Sequence, residues 1–334
     1  MYEKFYGLRE RPFDLTPNPA YLFMTPKHRE ALATLQYGLS ERKGFTVVIG
    51  EAGTGKTTLV NAALQAQRGN RPLGRDCVAY LNNPTLTPNE FIAYLAPAFG
   101  LSREAAVSKA SFLIELNKSV TDRHEAGGLT ALIVDEAQNL PDALLEEIRL
   151  LANVETGQHK LLQIVLTGQP ELADRLNQVS LRQLKQRVAL RCVLNPLDKT
   201  ETGAYIAARI WIASANDLTL FTEEAIDVIY EASRGIPRTI SVICDNSLVA
   251  GFALGERPIG RDTVLEVCND FDLVPEPRVE FTKLPIRSEA PVESDMSRLR
   301  MLTAKPSPDQ AAPAAAASKP TATRDLFQAF RGHR

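Results

Sequence analysis

Short apolar runs separated by amphipathic stretches set the layout of this chain. Phe45-Thr46-Val47-Val48-Ile49, Cys77-Val78-Ala79-Tyr80-Leu81, Leu129-Thr130-Ala131-Leu132-Ile133-Val134 and Leu161-Leu162-Gln163-Ile164-Val165-Leu166 are each five or six residues long and lack polar alternation. Runs of that length and character predict strands buried on both faces, as in parallel sheets. Between them the spacing turns helical. Thr25-Pro26 offers an N-cap followed by proline at the first helical position, and Ala31, Leu32, Leu35 and Leu39 then recur on one face until Gly44, predicting a helix over 26–43. Leu59 to Leu64, Pro88 to Phe99 and Ser102 to Arg123 read as further helices. Strand alternating with helix predicts an α/β fold, a parallel sheet flanked by helices.

From Asp198 the strand signal stops. Four helical patterns follow, near 199–214, 222–233, 237–254 and 261–270, with breaks at Leu218-Thr219, Gly235-Ile236-Pro237 and Gly255 to Pro258, so a small all-helical second domain is expected. The first 25 residues, rich in proline and aromatics, predict a packed, extended arm. After residue 275 the composition shifts to Pro, Ala, Ser and Lys, which cannot build a core. The expected organisation is an arm and linker helix over 1–43, a sheet domain over 44–197, a helical lid over 198–273 and a disordered linker over 274–323. Residues 324–334 turn apolar and aromatic again and read either as a docking peptide or as a frayed terminus.

Composition narrows the class. With 334 residues, 44% of them hydrophobic and 23% charged, the chain can bury a sizeable core, and a formal net charge of -2 advertises no global field for nucleic acid. Cys77, Cys192, Cys244 and Cys268 are scattered with no C-x-x-C pair, which favours buried thiols over a zinc site or disulfide framework. No basic segment leads into an apolar core at the N-terminus, and the apolar run from Ile240 to Leu254 is broken by Asp245 and Asn246. A cytoplasmic location is expected, with any membrane association made through a partner.

The candidate chemistry centres on Gly50-Glu51-Ala52-Gly53-Thr54-Gly55-Lys56-Thr57-Thr58, which fits G-x-x-x-x-G-K-[ST] between a strand and a helix. Glycines let consecutive backbone N–H groups turn inward around phosphate oxygens at the positive end of a helix. Lys56 is then expected at the β- and γ-phosphates of ATP and the Thr57 hydroxyl on Mg²⁺. The third apolar run ends directly on Asp135-Glu136, at the sheet edge where ligands bind in open α/β folds. Asp135 is placed to hold Mg²⁺ and Glu136 to take a proton from the attacking water, unless the pair merely caps the helix beginning near Pro141. At the tip of the next strand, Gln169, with Thr167 second, is a candidate γ-phosphate or water contact, or else a turn amide. Tyr21 and His28 lie where a base could be held or where the arm simply packs. Arg182, Lys185, Arg187 and Arg191 lie in a helix-like run over 180–191 that reads as a solvated basic face or as the source of a trans-acting arginine, Arg187 first. Arg238, after Gly235-Ile236-Pro237 at a helix start, is a surface arginine or one that swings onto a phosphate as the domains close.

Taken in order, these stretches resemble the AAA+ ATPases of the general secretion pathway protein A (ExeA-like) group, to which pilus-biogenesis and exosortase-associated ATPases are also similar. The resemblance runs from residue 1 to about 272. It rests on Met1 to Leu8 with Pro12-Phe13, Tyr21-Leu22, Thr25 to Leu32, Tyr37-Gly38-Leu39, the glycine loop, Asp135-Glu136-Ala137-Gln138, Gly168 to Leu172, Leu184 to Val188 and Gly235 to Arg238. It implies a P-loop NTPase with a helical lid, Mg·ATP between the subunits of a homo-oligomer, and Walker-type, sensor and arginine-finger roles at the matched positions. It also implies an envelope or secretion-system client. The secretion members continue into a transmembrane helix and a peptidoglycan-binding module, neither of which is read in this sequence. DNA-associated ATPases resembling transposition helper proteins share such a core and keep DNA open as an alternative partner.

Overall fold

The computed structural model describes residues 1–15, 21, 23–69, 75–82, 86–156, 159–214 and 218–273. The expected linker and docking peptide beyond 273, and the centre of the arm, lie outside them. Among the described residues, five strands form one parallel sheet: β1 (Phe45–Gly50), β2 (Cys77–Leu81), β3 (Thr130–Val134), β4 (Leu162–Gly168) and β5 (Val188–Leu194), in the order β2-β3-β4-β1-β5. β1, β3 and β4 are buried along their whole length, as their unbroken apolar sequences require. β5 is different. As an edge strand it alternates between half-buried and exposed positions before reaching buried Cys192 and Leu194.

That edge corrects one expectation. In the run over 180–191 a 3-10 turn, Val179–Leu181, leads into a one-turn helix, Arg182–Lys185, and the strand begins at Val188, so Arg187 and Arg191 do not share a helix face with Arg182 and Lys185. The pairing Phe45↔Val188 opens β5 beside the start of β1.

In chain order the helices are α1 (Glu3–Tyr6), α2 (Pro26–Ser40), α3 (Lys56–Gly69), α4 (Pro88–Ala98), α5 (Arg103–Val107), α6 (Lys109–Glu125), α7 (Asp142–Leu151), α8 (Pro170–Leu176), α9 (Arg182–Lys185), α10 (Lys199–Ser214), α11 (Glu223–Ser233), α12 (Pro237–Leu254) and α13 (Arg261–Asp270). Thr25 caps α2 by accepting from the His28 backbone N–H at 3.3 Å. The stretch read as one helix from Ser102 is two, because Ser108 leaves the helical region and its side chain caps α6 by accepting from Ser111 N–H at 3.4 Å.

Two layers cover the sheet. Phe91, Leu95, Phe112, Leu116, Leu144 and Ile148 pack on one face of the strands, and Leu35, Leu39, Leu59, Val60 and Ala63 on the other. α10 to α13 form the helical lid around Tyr205, Ile229, Ile240, Cys244 and Val264, and the first residues of the chain complete its core. Tyr2, Tyr6, Leu8 and Phe13 are buried there, the Tyr2 hydroxyl donates to Asp245 at 2.5 Å, and Arg9 N–H donates to the Ala213 carbonyl at 2.9 Å. The arm expected to be extended thus opens with a helical turn held by the lid.

Candidate nucleotide site

Parallel pairing brings three strand ends to one edge. The registers Ile49↔Gly168 and Val134↔Leu166 set the glycine loop after β1, Asp135-Glu136 after β3 and Thr167 to Gln169 at the end of β4 side by side. Lys56 opens α3 with only 5% of its surface exposed, and its Nζ donates to the carbonyls of Gly50 at 2.9 Å and Glu51 at 3.1 Å. A buried ammonium satisfied only by loop carbonyls is poised to exchange them for a more strongly charged acceptor. Thr57 Oγ1 donates to Asp135 Oδ2 at 2.8 Å, and Asp135 Oδ1 accepts from Thr167 Oγ1 and from the Glu136 N–H at 3.0 Å.

Glu136 adopts φ 49°, ψ 41°, left-handed backbone that a non-glycine residue rarely takes and that clusters at functional sites. Its Oε2 accepts from Gln138 Nε2 at 2.6 Å and from Gln169 Nε2 at 3.1 Å. Neither acid caps a helix. α7 has Pro141 at its N-cap position with no side-chain bond, and Glu136, at the N-cap position of the short 3-10 turn that follows it, makes no side-chain cap bond. Of the two residues weighed at the tip of β4, Thr167 holds Asp135 and Gln169 holds Glu136.

The lid meets the loop directly. Arg238 N–H donates to the Gly53 carbonyl at 3.3 Å, and a Cβ on Gly53 would lie 2.7 Å from Arg238 Cβ and 3.1 Å from Ile236 Cγ2. With Gly53 at φ +82°, a Gly53→Ala change adds left-handed strain to a steric clash and should cost about 1–3 kcal/mol. Denaturant unfolding checks this; an unchanged midpoint would mean the loop and α12 are not in contact. Gly235 fixes the other side of the joint: it sits at φ +72° against Leu197, whose N–H donates to the Gly235 carbonyl at 2.8 Å.

A cleft of ≈ 390 Å³ runs from residues 53–58 and Glu136 to Tyr21, Phe23, His28, Tyr205, Arg209, Arg238 and Ser241. That volume is within the range of small-ligand sites. His28 bridges α2 to the loop, with Nδ1 at 2.8 Å from Thr25 Oγ1 and Nε2 at 3.4 Å from the Thr54 carbonyl. The Tyr21 hydroxyl donates to Glu10 Oε1 at 2.7 Å; burial first, and that bond second, push its pKa well up, so it stays a neutral donor. Gly50, Glu51, Ala52, Lys56, Thr57, Asp135, Glu136, Gln169, Tyr21, His28 and Arg238 therefore converge on one edge, whereas Arg187 does not. It is exposed at the start of β5, about 17 Å from the loop by five strand rises of ~3.3 Å. Arg209, Tyr205 and Ser241 line the cleft without any motif to mark them, and Gln138 holds Glu136 although it entered only as part of the resemblance.

A strand, glycine loop and helix unit, an acid pair on the neighbouring strand tip and a helical lid define a P-loop NTPase of the AAA+ class. An AAA domain model matches residues 39–176. General secretion pathway protein A of Aeromonas hydrophila is 41% identical over 259 residues, covering 78% of this chain and 46% of that protein, so the chain spans about half the length of this relative. The fold is similar to that of Cdc6p from Pyrobaculum aerophilum (TM-score 0.59, 18% identity, 78% of this chain and 70% of that one). It is also similar to ORC2 of Aeropyrum pernix (TM-score 0.58, 19% identity, 78% and 71%). The chain is therefore a relative of general secretion pathway protein A with an AAA+ P-loop fold.

Proposed function

We propose that this chain binds Mg·ATP in the cleft and hydrolyses it, using residues 44–197 as the nucleotide-binding domain and 198–273 as the lid that responds. The observation that carries the reading is the linked set Thr57–Asp135–Thr167 beside Lys56, with Glu136 held next to it by two amides. The donors suit Mg²⁺. A hydroxyl and a carboxylate already 2.8 Å apart are hard oxygen ligands, and no denser cluster of three or more His, Cys, Asp or Glu occurs among the described residues, as fits an ion that keeps several waters and shares the phosphates. When bound, the ion would neutralise charge on the phosphate oxygens. Loop amides and Lys56 would grip the triphosphate, the Glu136 carboxylate would accept a proton from the attacking water, and Gln169 would keep that carboxylate aimed. Arg238, already bonded to Gly53, would carry the phosphate state into the lid.

Arg187 lies at the opposite end of the strands from its own loop, so its role is assigned in trans, to the nucleotide of a neighbouring copy in a homo-oligomer. The client is assigned to an envelope secretion or export system, on the similarity to the Aeromonas protein. No helix among the described residues is long and apolar enough to cross a membrane, and the reading places this segment on the cytoplasmic side, reaching the membrane through a partner.

Purified protein assayed for ATP hydrolysis with magnesium tests the reading, with mass measured alongside. Hydrolysis per subunit should rise with protein concentration and fall roughly 10³-fold in Arg187→Ala. A rate independent of concentration and indifferent to Arg187 would remove the trans role, and no hydrolysis in any assembled state would remove the enzyme. Salt-dependent DNA binding that stimulates turnover would move the client from envelope to nucleic acid.

A further inference from the structure

The end of the sheet opposite the cleft carries a chemistry of its own. All five strands are parallel, so the segments leading into them meet at one edge, a strand length away from the glycine loop. These segments touch. Arg42 Nη2 donates to the Gly128 carbonyl at 2.8 Å, Arg75 Nη1 donates to the Ala126 carbonyl at 2.5 Å, the stem of Lys160 packs against Gly44, and the rings of His124 and His159 lie 5.6 Å apart. Across 41–44, 75–76, 123–128, 155–160 and 182–185, Arg and Lys outnumber Asp and Glu seven to four, whereas the whole chain holds 38 and 40. Two of those four acids are engaged locally, Asp76 accepting from the Leu129 N–H at 2.7 Å and Glu155 pairing with Lys160. The bases crowd one another: burial, then the charges of Arg42 and His159, lower the His124 pKa, and burial, then Arg187, lowers that of Lys160. Positive groups gathered this closely are relieved by an anionic surface laid across them. Apolar side chains stand out among them. Val179, in the 3-10 turn before α9, is 91% exposed, and Lys185 ties back to the chain just ahead of that turn by donating to Asn177 Oδ1 at 2.7 Å. Tyr37, in the last turn of α2, is 51% exposed with Lys43 Nζ 5.2 Å from its ring centre.

We infer that this edge is a contact surface for the anionic headgroups of a lipid bilayer, with Val179 and Tyr37 entering the headgroup layer. Basic side chains near such a surface gain from its negative potential, and an aliphatic or phenolic group gains by leaving water at the same depth. Phosphates of a nucleic-acid duplex would answer the charges, but they offer an isolated isopropyl group nothing to bury against. Only the placement beside an envelope membrane is taken from the proposed function; the ATP chemistry does not enter. To any protein partner the edge adds a direct lipid contact, one that leaves the cleft turned away from the bilayer. Arg187, assigned to the neighbouring copy, is no part of it.

Vesicle sedimentation with the full chain is the test. The parent should pellet with vesicles of mixed phosphatidylcholine and phosphatidylglycerol, stay in solution with phosphatidylcholine alone, and dissociate as salt rises. Lys43→Glu combined with Lys185→Glu should weaken binding roughly tenfold or more, and Val179→Ser about threefold. Arg261→Glu, which reverses an exposed charge at the start of α13, should change it by less than about twofold. Parent affinity in the double variant would overturn the inference, as would an equal loss in Arg261→Glu, which would reduce the attraction to net charge. Release from the vesicles by duplex DNA at matched phosphate concentration would assign the edge to nucleic acid, and release by inorganic phosphate at matched ionic strength would make it a small-anion site; either overturns the lipid contact. Lys43 and Lys185 are exposed, so the double variant should fold, as circular dichroism would show; if it does not, the two single variants carry the same comparison. A parent that binds the mixed vesicles yet hydrolyses no ATP upholds this inference while the enzyme reading falls, whereas one that hydrolyses ATP but stays off the vesicles overturns this inference alone.

Discussion

Lys56→Ala should weaken ATP binding by about 100-fold, the upper part of what a hydrogen bond from a charged group supplies. Lys56 is 5% exposed and its ammonium donates to two loop carbonyls, so removing it takes away a cation built into the base of the loop while leaving the strand and helix in place. Lys56→Met keeps the aliphatic stem and should lose binding equally, which separates charge from packing. Isothermal titration with ATP and magnesium reads the effect. Binding of either variant at parent affinity would mean the triphosphate is not gripped by this loop.

Glu136→Gln should leave binding intact and cost as much or more in turnover. The amide is isosteric and its oxygen can still accept from Gln138 and Gln169, so the local packing and the bonds at 2.6 and 3.1 Å survive. What disappears is the capacity to take a proton, worth roughly 10²–10⁴ in rate for a positioned general base. ATP should therefore bind with parent affinity and persist, readable as retained nucleotide after rapid gel filtration. Hydrolysis at the parent rate would reassign the base.

Much of this was legible in the residues because it depends on local order. Four strands announced themselves as unbroken apolar runs, and Lys56, Thr57, Asp135 and Glu136 followed from spacing and from standing at strand tips. β5 was not legible in the same way. An edge strand buries one face only, and Arg187 just before it and the exposed Arg191 within it continued the basic spacing of Arg182 and Lys185, so that the strand start was absorbed into a helix-like run. Ser108 hid a break for a related reason: serine is tolerated in helices, and only its cap bond shows that a new one begins. Arg209 was invisible for want of any local pattern. Its partner Asp14 lies 195 positions away, and a lone arginine in an otherwise ordinary amphipathic helix carries no sign of the tyrosines it will meet.

The burial of Tyr2, Tyr6, Leu8 and Phe13 among α10 to α13 has a mechanical corollary. The sheet layer is spliced between two pieces of one helical body, so the chain crosses from one to the other twice, once before α2 and once at Leu197. A part suspended at two points swings about the line joining them and resists twisting about any other. Under the proposed ATP cycle, movement of the helical body is expected to turn about these two crossings, and stiffening either one should damp it.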